Sequence, residues 1–142
     1  MIVVDASVIA VALADDGNDG EHCRARLKGE RLAAPALIDL EVLSVLRGLV
    51  RAGRVDAPRA QAAVDDLASL PIGRAGHPAL LPRCWELREN LTPYDAAYVA
   101  LAEILETTLV TGDRRLSRAT DPRCPIEVID ACHGDMGARK PG

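Results

Sequence analysis

Four carboxylates carry the chemistry this chain can do: Asp5, Glu41, Asp95 and Asp113. Asp5 closes the apolar run Ile2-Val3-Val4, and Asp113 stands two residues beyond a second β-branched run that ends at Thr111. Asp95 falls in the first turn of a segment that opens Thr92-Pro93-Tyr94, and Glu41 lies one turn into a long apolar stretch behind Pro35. One acid at any of these places has ordinary uses as a helix cap, a turn former or a solvated charge. Four together are harder to explain that way, and Glu41 is the hardest. Leu37, Ile38, Leu40, Val42, Leu43, Val45 and Leu46 surround it, so its helix reads as apolar nearly all round and buried. A buried carboxylate needs a partner or a metal, because taking it out of water unpaired is costly. Oxygen donors with no lysine near them suit Mg²⁺ or Mn²⁺, hard cations that take carboxylates and keep waters. Such a site ionises water and neutralises charge on a phosphoryl centre during in-line attack, so phosphodiester hydrolysis is the chemistry expected.

Some scaffold must bring positions 5, 41, 95 and 113 to one place. Short β-branched runs alternate with longer helical stretches along the whole chain, the pattern of a parallel sheet covered by helices. Strands are expected at 2–4, 32–35, 71–74, 108–111 and 126–129. Helices are expected from Ser7 through Leu13, over 21–28 with Gly29 past the end, and over 37–52 with Gly53 as a left-handed cap. Another starts at the Asp56 and Pro58 signals and runs to Leu70, and one covers 80–89. Thr92 as N-cap, Pro93 at the first helical position and Asp95 at the third predict a helix over 93–105. In open α/β sheets ligands bind outside the carboxyl ends of the strands. Asp5 and Asp113 occupy that edge, and the helices bearing Asp95 and Glu41 begin close to it.

Composition bounds the rest. A chain of 142 residues, 49% hydrophobic and 27% charged, fits one domain with a packed core, here expected over 1–132. With no Phe, one Trp and two Tyr, the interior must be built from Leu, Val, Ile and Ala, and interleaved aromatic platforms for stacking bases are excluded. The start lacks a basic segment ahead of its apolar run and no stretch of 18 apolar residues occurs, so a cytoplasmic protein without a membrane span is expected. Cys23, Cys84, Cys124 and Cys132 show no C-x-x-C spacing and read as buried or inert thiols. Positions 133–142, rich in Gly and with a Pro, read as a mobile tail. A formal charge of −4 argues against a nucleic-acid partner unless the acids gather around metal, in which case two Mg²⁺ would balance it.

At this point a resemblance is visible. Val4-Asp5-Ala6-Ser7, Leu40-Glu41-Val42, the run from Thr92-Pro93-Tyr94-Asp95 through Ala102, and Leu109-Val110-Thr111-Gly112-Asp113 occur in the order of the motifs of VapC-type PIN-domain toxins, which the chain resembles from its start to about Ile129. The resemblance implies a three-layer α/β/α sandwich with a mainly parallel central sheet. It implies one or two Mg²⁺ held by Asp5, Glu41, Asp95 and Asp113, with Mn²⁺ able to substitute, and endoribonuclease activity. It also implies a homodimer and a VapB-type antitoxin as partner. Ser7 and Thr111 match hydroxyl positions that orient the acids through hydrogen bonds, whereas Asp39 and Asp130 have no counterpart. Arg114 and Arg115 directly follow Asp113 and are the arginines expected to contact RNA phosphates. Arg47, Arg51 and Arg54 form a separate ridge, rotated from Glu41 by about 220–280° around the helix and so facing away.

Other magnesium-binding or nucleotide-binding α/β classes lack their signatures here. A receiver domain needs a further acidic pair near the first strand and a lysine ending the last one. Haloacid-dehalogenase-type phosphatases need D-x-D where this chain has Asp5-Ala6-Ser7, and neither G-x-G-x-x-G nor a P-loop is present. The surviving alternative is a catalytically silent PIN-like module that only binds protein, against which the presence of all four acids weighs.

Overall fold

Three consecutive apolar residues, two of them valines, form the strand at the middle of the sheet, β1 (Ile2–Val4). All three are buried, as expected of a strand covered on both faces. The computed structural model describes residues 1–130. It adds β2 (Leu32–Pro35), β3 (Ile72–Ala75), β4 (Leu109–Thr111) and β5 (Ile126–Val128), all parallel, in the order β3-β2-β1-β4-β5. Val3 lies in register with Ala33 on one side and Leu109 on the other.

Between β1 and β2 run α1 (Ala6–Ala14) and α2 (Asn18–Leu27); between β2 and β3 run α3 (Ile38–Arg51) and α4 (Ala57–Ser69). A 3₁₀ turn at Pro78–Leu80, α5 (Leu81–Glu86) and α6 (Pro93–Ile104) lead to β4, and the short α7 (Arg114–Arg118) leads to β5. The chain first steps outward from β1 through β2 to β3, then returns past β1 to β4 and β5. Parallel crossovers are right-handed, so the helices of the first leg cover one face and those of the second leg the other. Packing follows this rule: α1 meets α3 and α4, while α6 lies on β1 and β2 with α5 against it. The expected α/β/α sandwich is therefore present, with its sheet parallel throughout. Strand direction of travel reverses between β1 and β4, and adjacent connections leaving to opposite faces open a crevice at the carboxyl ends of those two strands.

The core is built from Val, Leu, Ile and Ala, as the absence of Phe requires, with Tyr98 as its largest fully buried side chain. Each fully buried Val or Leu contributes roughly 1.5–3 kcal/mol. Ala96, Ala97, Ala100 and Ala102 on α6 are all buried, and their small size lets this helix lie close on β1 and β2. Gly29 and Gly53 take left-handed backbone at φ 79° and 71°, as expected after α2 and α3.

Several expectations are corrected. The third helix is not apolar all round: it buries Ile38, Val42, Leu46 and Leu49 against α1 and α4, while Leu40 is 71% and Leu43 39% exposed. One helix has one packed stripe, and its surplus leucines fall outside it. Glu41 is nonetheless on the buried side. The helix expected over 80–89 is a 3₁₀ turn followed by α5, which stops at Glu86, and α7 was not foreseen. Cys23 is disulfide-bonded rather than an inert thiol, whereas Cys84 and Cys124 are free. The tail expected at 133–142 lies outside the described residues.

Candidate active site

Asp5 takes the N-cap position of α1 with extended backbone, yet its carboxylate makes no capping bond to that helix. The everyday use of Asp at such a place is thus ruled out. The side chain is fully buried. Its Oδ2 accepts a hydrogen bond of 2.7 Å from Thr111 Oγ1 and a longer one of 3.4 Å from Ser7 Oγ. Thr111 Oγ1 in turn accepts from the Asp113 backbone N–H at 3.0 Å, and Ser7 Oγ accepts from Gly112 N–H at 3.1 Å. A hydroxyl has one proton to give, and Thr111 spends it on Asp5, so its orientation is fixed. The ends of β1 and β4 are laced together at the place where the sheet reverses.

Glu41 and Asp95 are also buried, at 8% and 7% exposure. Glu41 Oε1 accepts a hydrogen bond of 2.7 Å from the Tyr98 hydroxyl. Burial first, then the charges of Asp5 and Glu41 and that hydrogen bond, push the Tyr98 ionisation far above the ordinary tyrosine value. Both carboxylates therefore act on one phenol. Asp95 sits in the first turn of α6, capped as expected: Thr92 Oγ1 accepts from Asp95 N–H at 3.2 Å. The positive end of the helix dipole favours a negative charge there. Asp95 and Asp113 line the same cleft, of about 390 Å³, with Thr92, Arg115 and Arg118.

Asp113 caps α7, its Oδ1 accepting from Arg115 N–H at 2.9 Å. The Arg115 guanidinium returns to the same carboxylate, with Nη2 at 2.7 Å from Oδ2 and Nε at 3.1 Å from Oδ1. The hydrogen bonds that its guanidinium donates to Asp113, then the Asp113 charge, with a further contribution from Asp95, raise the Arg115 pKa against a partial burial effect. Arg114 pairs with exposed Asp130 at 2.8 Å. Both arginines expected at RNA phosphates are thus engaged with carboxylates, though Arg115 stays on the cleft. Asp39 receives Arg74 at 2.9 Å, a partner the sequence did not indicate. Arg47, Arg51 and Arg54 are exposed, and Arg54 lies beyond the end of α3.

Asp5, Ser7, Thr111 and Asp113 are thus one hydrogen-bonded network, Glu41 is tied to α6 through Tyr98, and Asp95 shares its cleft with Asp113. Among the described residues no three His, Cys, Asp or Glu side chains close into a group that could hold a metal ion as they stand. Two residues were missed by the sequence reading. Tyr98 stands three positions after Asp95, hence on the same helical face, and this spacing was the available signal. Arg118 closes the helix that was not foreseen.

An all-parallel sheet of this order, with Asp5 after β1 and Asp113 just past the adjacent β4, is the setting in which the match to a known family, the PIN domain, is found. The chain belongs to that family: the family model described as PIN domain matches residues 2–122. Over 129 residues it is 43% identical to VapC ribonuclease Mb0985 of Mycobacterium bovis and to ribonuclease VapC9 of Mycobacterium tuberculosis, covering 91% of this chain and 98% of each relative. It is 41% identical over 128 residues to ribonuclease VapC1 of M. tuberculosis, covering 89% of this chain and 96% of that protein. Among solved structures, PAE2754 from Pyrobaculum aerophilum aligns with a TM-score of 0.62 at 31% identity, over 89% of this chain and 83% of that one.

Proposed function

We propose that this chain is a Mg²⁺-dependent endoribonuclease, the toxin of a toxin–antitoxin pair, which hydrolyses RNA phosphodiester bonds in the cytoplasm and is neutralised by a VapB-type antitoxin. The observation that supports the reading is that Thr111 bonds the buried Asp5 beside Asp113, with Asp95 lining the same cleft as Asp113, in a chain 43% identical to proteins named ribonucleases. Nothing in the described residues is a helix long and apolar enough to cross a membrane.

The donor set fits a hard divalent ion. Every candidate ligand is a carboxylate oxygen, and Mg²⁺ is commonly held by one or two carboxylates with waters completing its shell, which an open set of acids allows. Asp5, Glu41, Asp95 and Asp113 would hold the ion, with Mn²⁺ able to replace Mg²⁺. When bound, it supplies Lewis-acid charge for the scissile phosphate and makes hydroxide accessible at neutral pH. Thr111 and Ser7 orient Asp5 and tie it to the backbone ahead of Asp113. Tyr98 fixes one oxygen of Glu41. Arg115, paired with Asp113, lines the cleft along which the RNA phosphates approach. The chain acts as a homodimer, checked by light scattering against the 15.1 kDa of one copy.

The deciding experiment measures initial rates on cellular RNA after chelation and add-back. Cleavage is expected with Mg²⁺ or Mn²⁺, little with Ca²⁺, whose looser geometry misplaces the attacking water. Cleavage that persists in excess EDTA would remove the metal. No cleavage under any condition, with an antitoxin still bound, would make the chain a silent binding module.

A further inference from the structure

We propose that the cleft beside Asp95 and Asp113 is a subsite for one nucleotide of the RNA strand, and that Arg118 is the residue that grips its phosphate. This rests on the ribonuclease reading and extends it to a residue that reading does not use. The arginines around this edge divide into two kinds. Arg114 is paired with Asp130 and Arg115 with Asp113. Arg118 is exposed, lines the cleft and has no hydrogen bond or ion pair to any of the described residues. A cation with no partner among the described residues, lining the same cavity as Asp95 and Asp113, is placed to receive an anion from outside. A guanidinium suits phosphate, which it can meet with two parallel bonds.

The cavity sets the size of the occupant. About 390 Å³ is at the small end of the roughly 300–1,000 Å³ typical of small-molecule sites, room for a single nucleotide unit. Its walls divide by chemistry: Leu91, Leu116 and Ala119 are apolar, Thr120 offers a hydroxyl, and Asp95 and Asp113 mark the end where the reacting phosphate belongs. A strand whose scissile phosphate lies at the acids would run its next nucleotide along the apolar wall and bring the following phosphate to Arg118. No aromatic lines the cleft, so the base is held by apolar contact rather than stacking, and the subsite should discriminate weakly between bases.

The test uses the full chain carrying Asp5→Asn to prevent cleavage, titrated into a fluorescent single-stranded RNA and followed by anisotropy at several salt concentrations. Arg118→Ala should weaken binding about tenfold and shallow the slope of log K against log salt by about 0.7, the value for one phosphate contact on a single strand. Arg118→Lys should recover most of the affinity, and Arg47→Ala on the far side of α3 should change nothing. In the active chain Arg118→Ala should raise KM and leave kcat within about twofold, the pattern of lost uniform binding. Unchanged affinity and slope in Arg118→Ala, with wild-type cleavage intact, overturns the subsite alone. A defect confined to binding of the antitoxin, with RNA affinity intact, overturns it in favour of a protein-docking arginine. Absence of both RNA binding and cleavage in the wild-type chain defeats the ribonuclease reading and the subsite with it.

Discussion

The Tyr98 hydroxyl on α6 donates a 2.7 Å hydrogen bond to Glu41 on α3, so helices from the two legs of the sheet meet at one buried carboxylate. Tyr98→Phe keeps the ring and removes only the donor. A buried acceptor that loses a partner costs about 1–3 kcal/mol, so the variant should fold and melt lower by that amount, measured by urea denaturation. A melt equal to wild type would mean that Glu41 is satisfied without Tyr98.

The same contact predicts an alkaline signature. In the unfolded chain tyrosine titrates near about 10, whereas in the fold Tyr98 keeps its proton far higher. A folded pKa raised in this way stabilises fully below the unfolded value, and the contribution is lost as pH rises above it. Wild-type stability should therefore fall more steeply than that of Tyr98→Phe above pH about 10. Parallel curves would contradict the assignment.

Thr111→Val removes the hydroxyl that both donates to Asp5 and accepts from Asp113 N–H. Asp5 is one of the carboxylates proposed above to hold the ion, and loss of a partner that orients such a group commonly costs 10–100-fold in activity or metal affinity. RNA cleavage should drop by about that factor, and Thr111→Ser should restore most of it. Failure of the serine to rescue would shift the effect from the hydroxyl to packing.

Arg115 occupies both oxygens of Asp113. A divalent ion seeking that carboxylate must compete with it, so Arg115→Ala should bind Mn²⁺ several-fold more tightly in calorimetry without RNA. By reciprocal linkage, metal should loosen the Arg115 pairing equally. Unchanged affinity would show that Asp113 stays with Arg115 when metal binds.

Asp5→Asn, Asp95→Asn and Glu41→Gln should each abolish cleavage while the chain remains folded by circular dichroism. Each removes one of several neighbouring negative charges, so the metal-free melting temperature should rise slightly. Full activity in any folded variant would take that residue out of the mechanism.

Much of this arrangement was legible from local chemistry. Thr92, Pro93 and Asp95 mark the start of α6 within a few residues, and β-branched runs mark β1 and β4, so the edge that bears Asp5 and Asp113 follows from sequence order and strand polarity alone. What was not legible depends on neighbours distant in the chain. Leu40 looks like core until the width of the contact with α1 and α4 is known. Arg115 looks free for RNA until α7 turns its guanidinium back onto Asp113, and Arg74 reaches Asp39 across 35 positions. Side-chain pairing is decided by tertiary geometry, and the sequence carries only the inventory from which it is drawn.

Asp5 follows the central strand, and Thr111, its hydrogen-bond partner at the site, comes 106 positions later. At roughly 5–20 residues per second of synthesis, about 5 to 20 s separate the appearance of the two, before the length of the ribosomal tunnel is added. No nascent chain can join Asp5 to Thr111 in that interval. A product that stops short of β4 therefore lacks both the Thr111 hydroxyl that holds Asp5 and the cleft that Asp95 shares with Asp113.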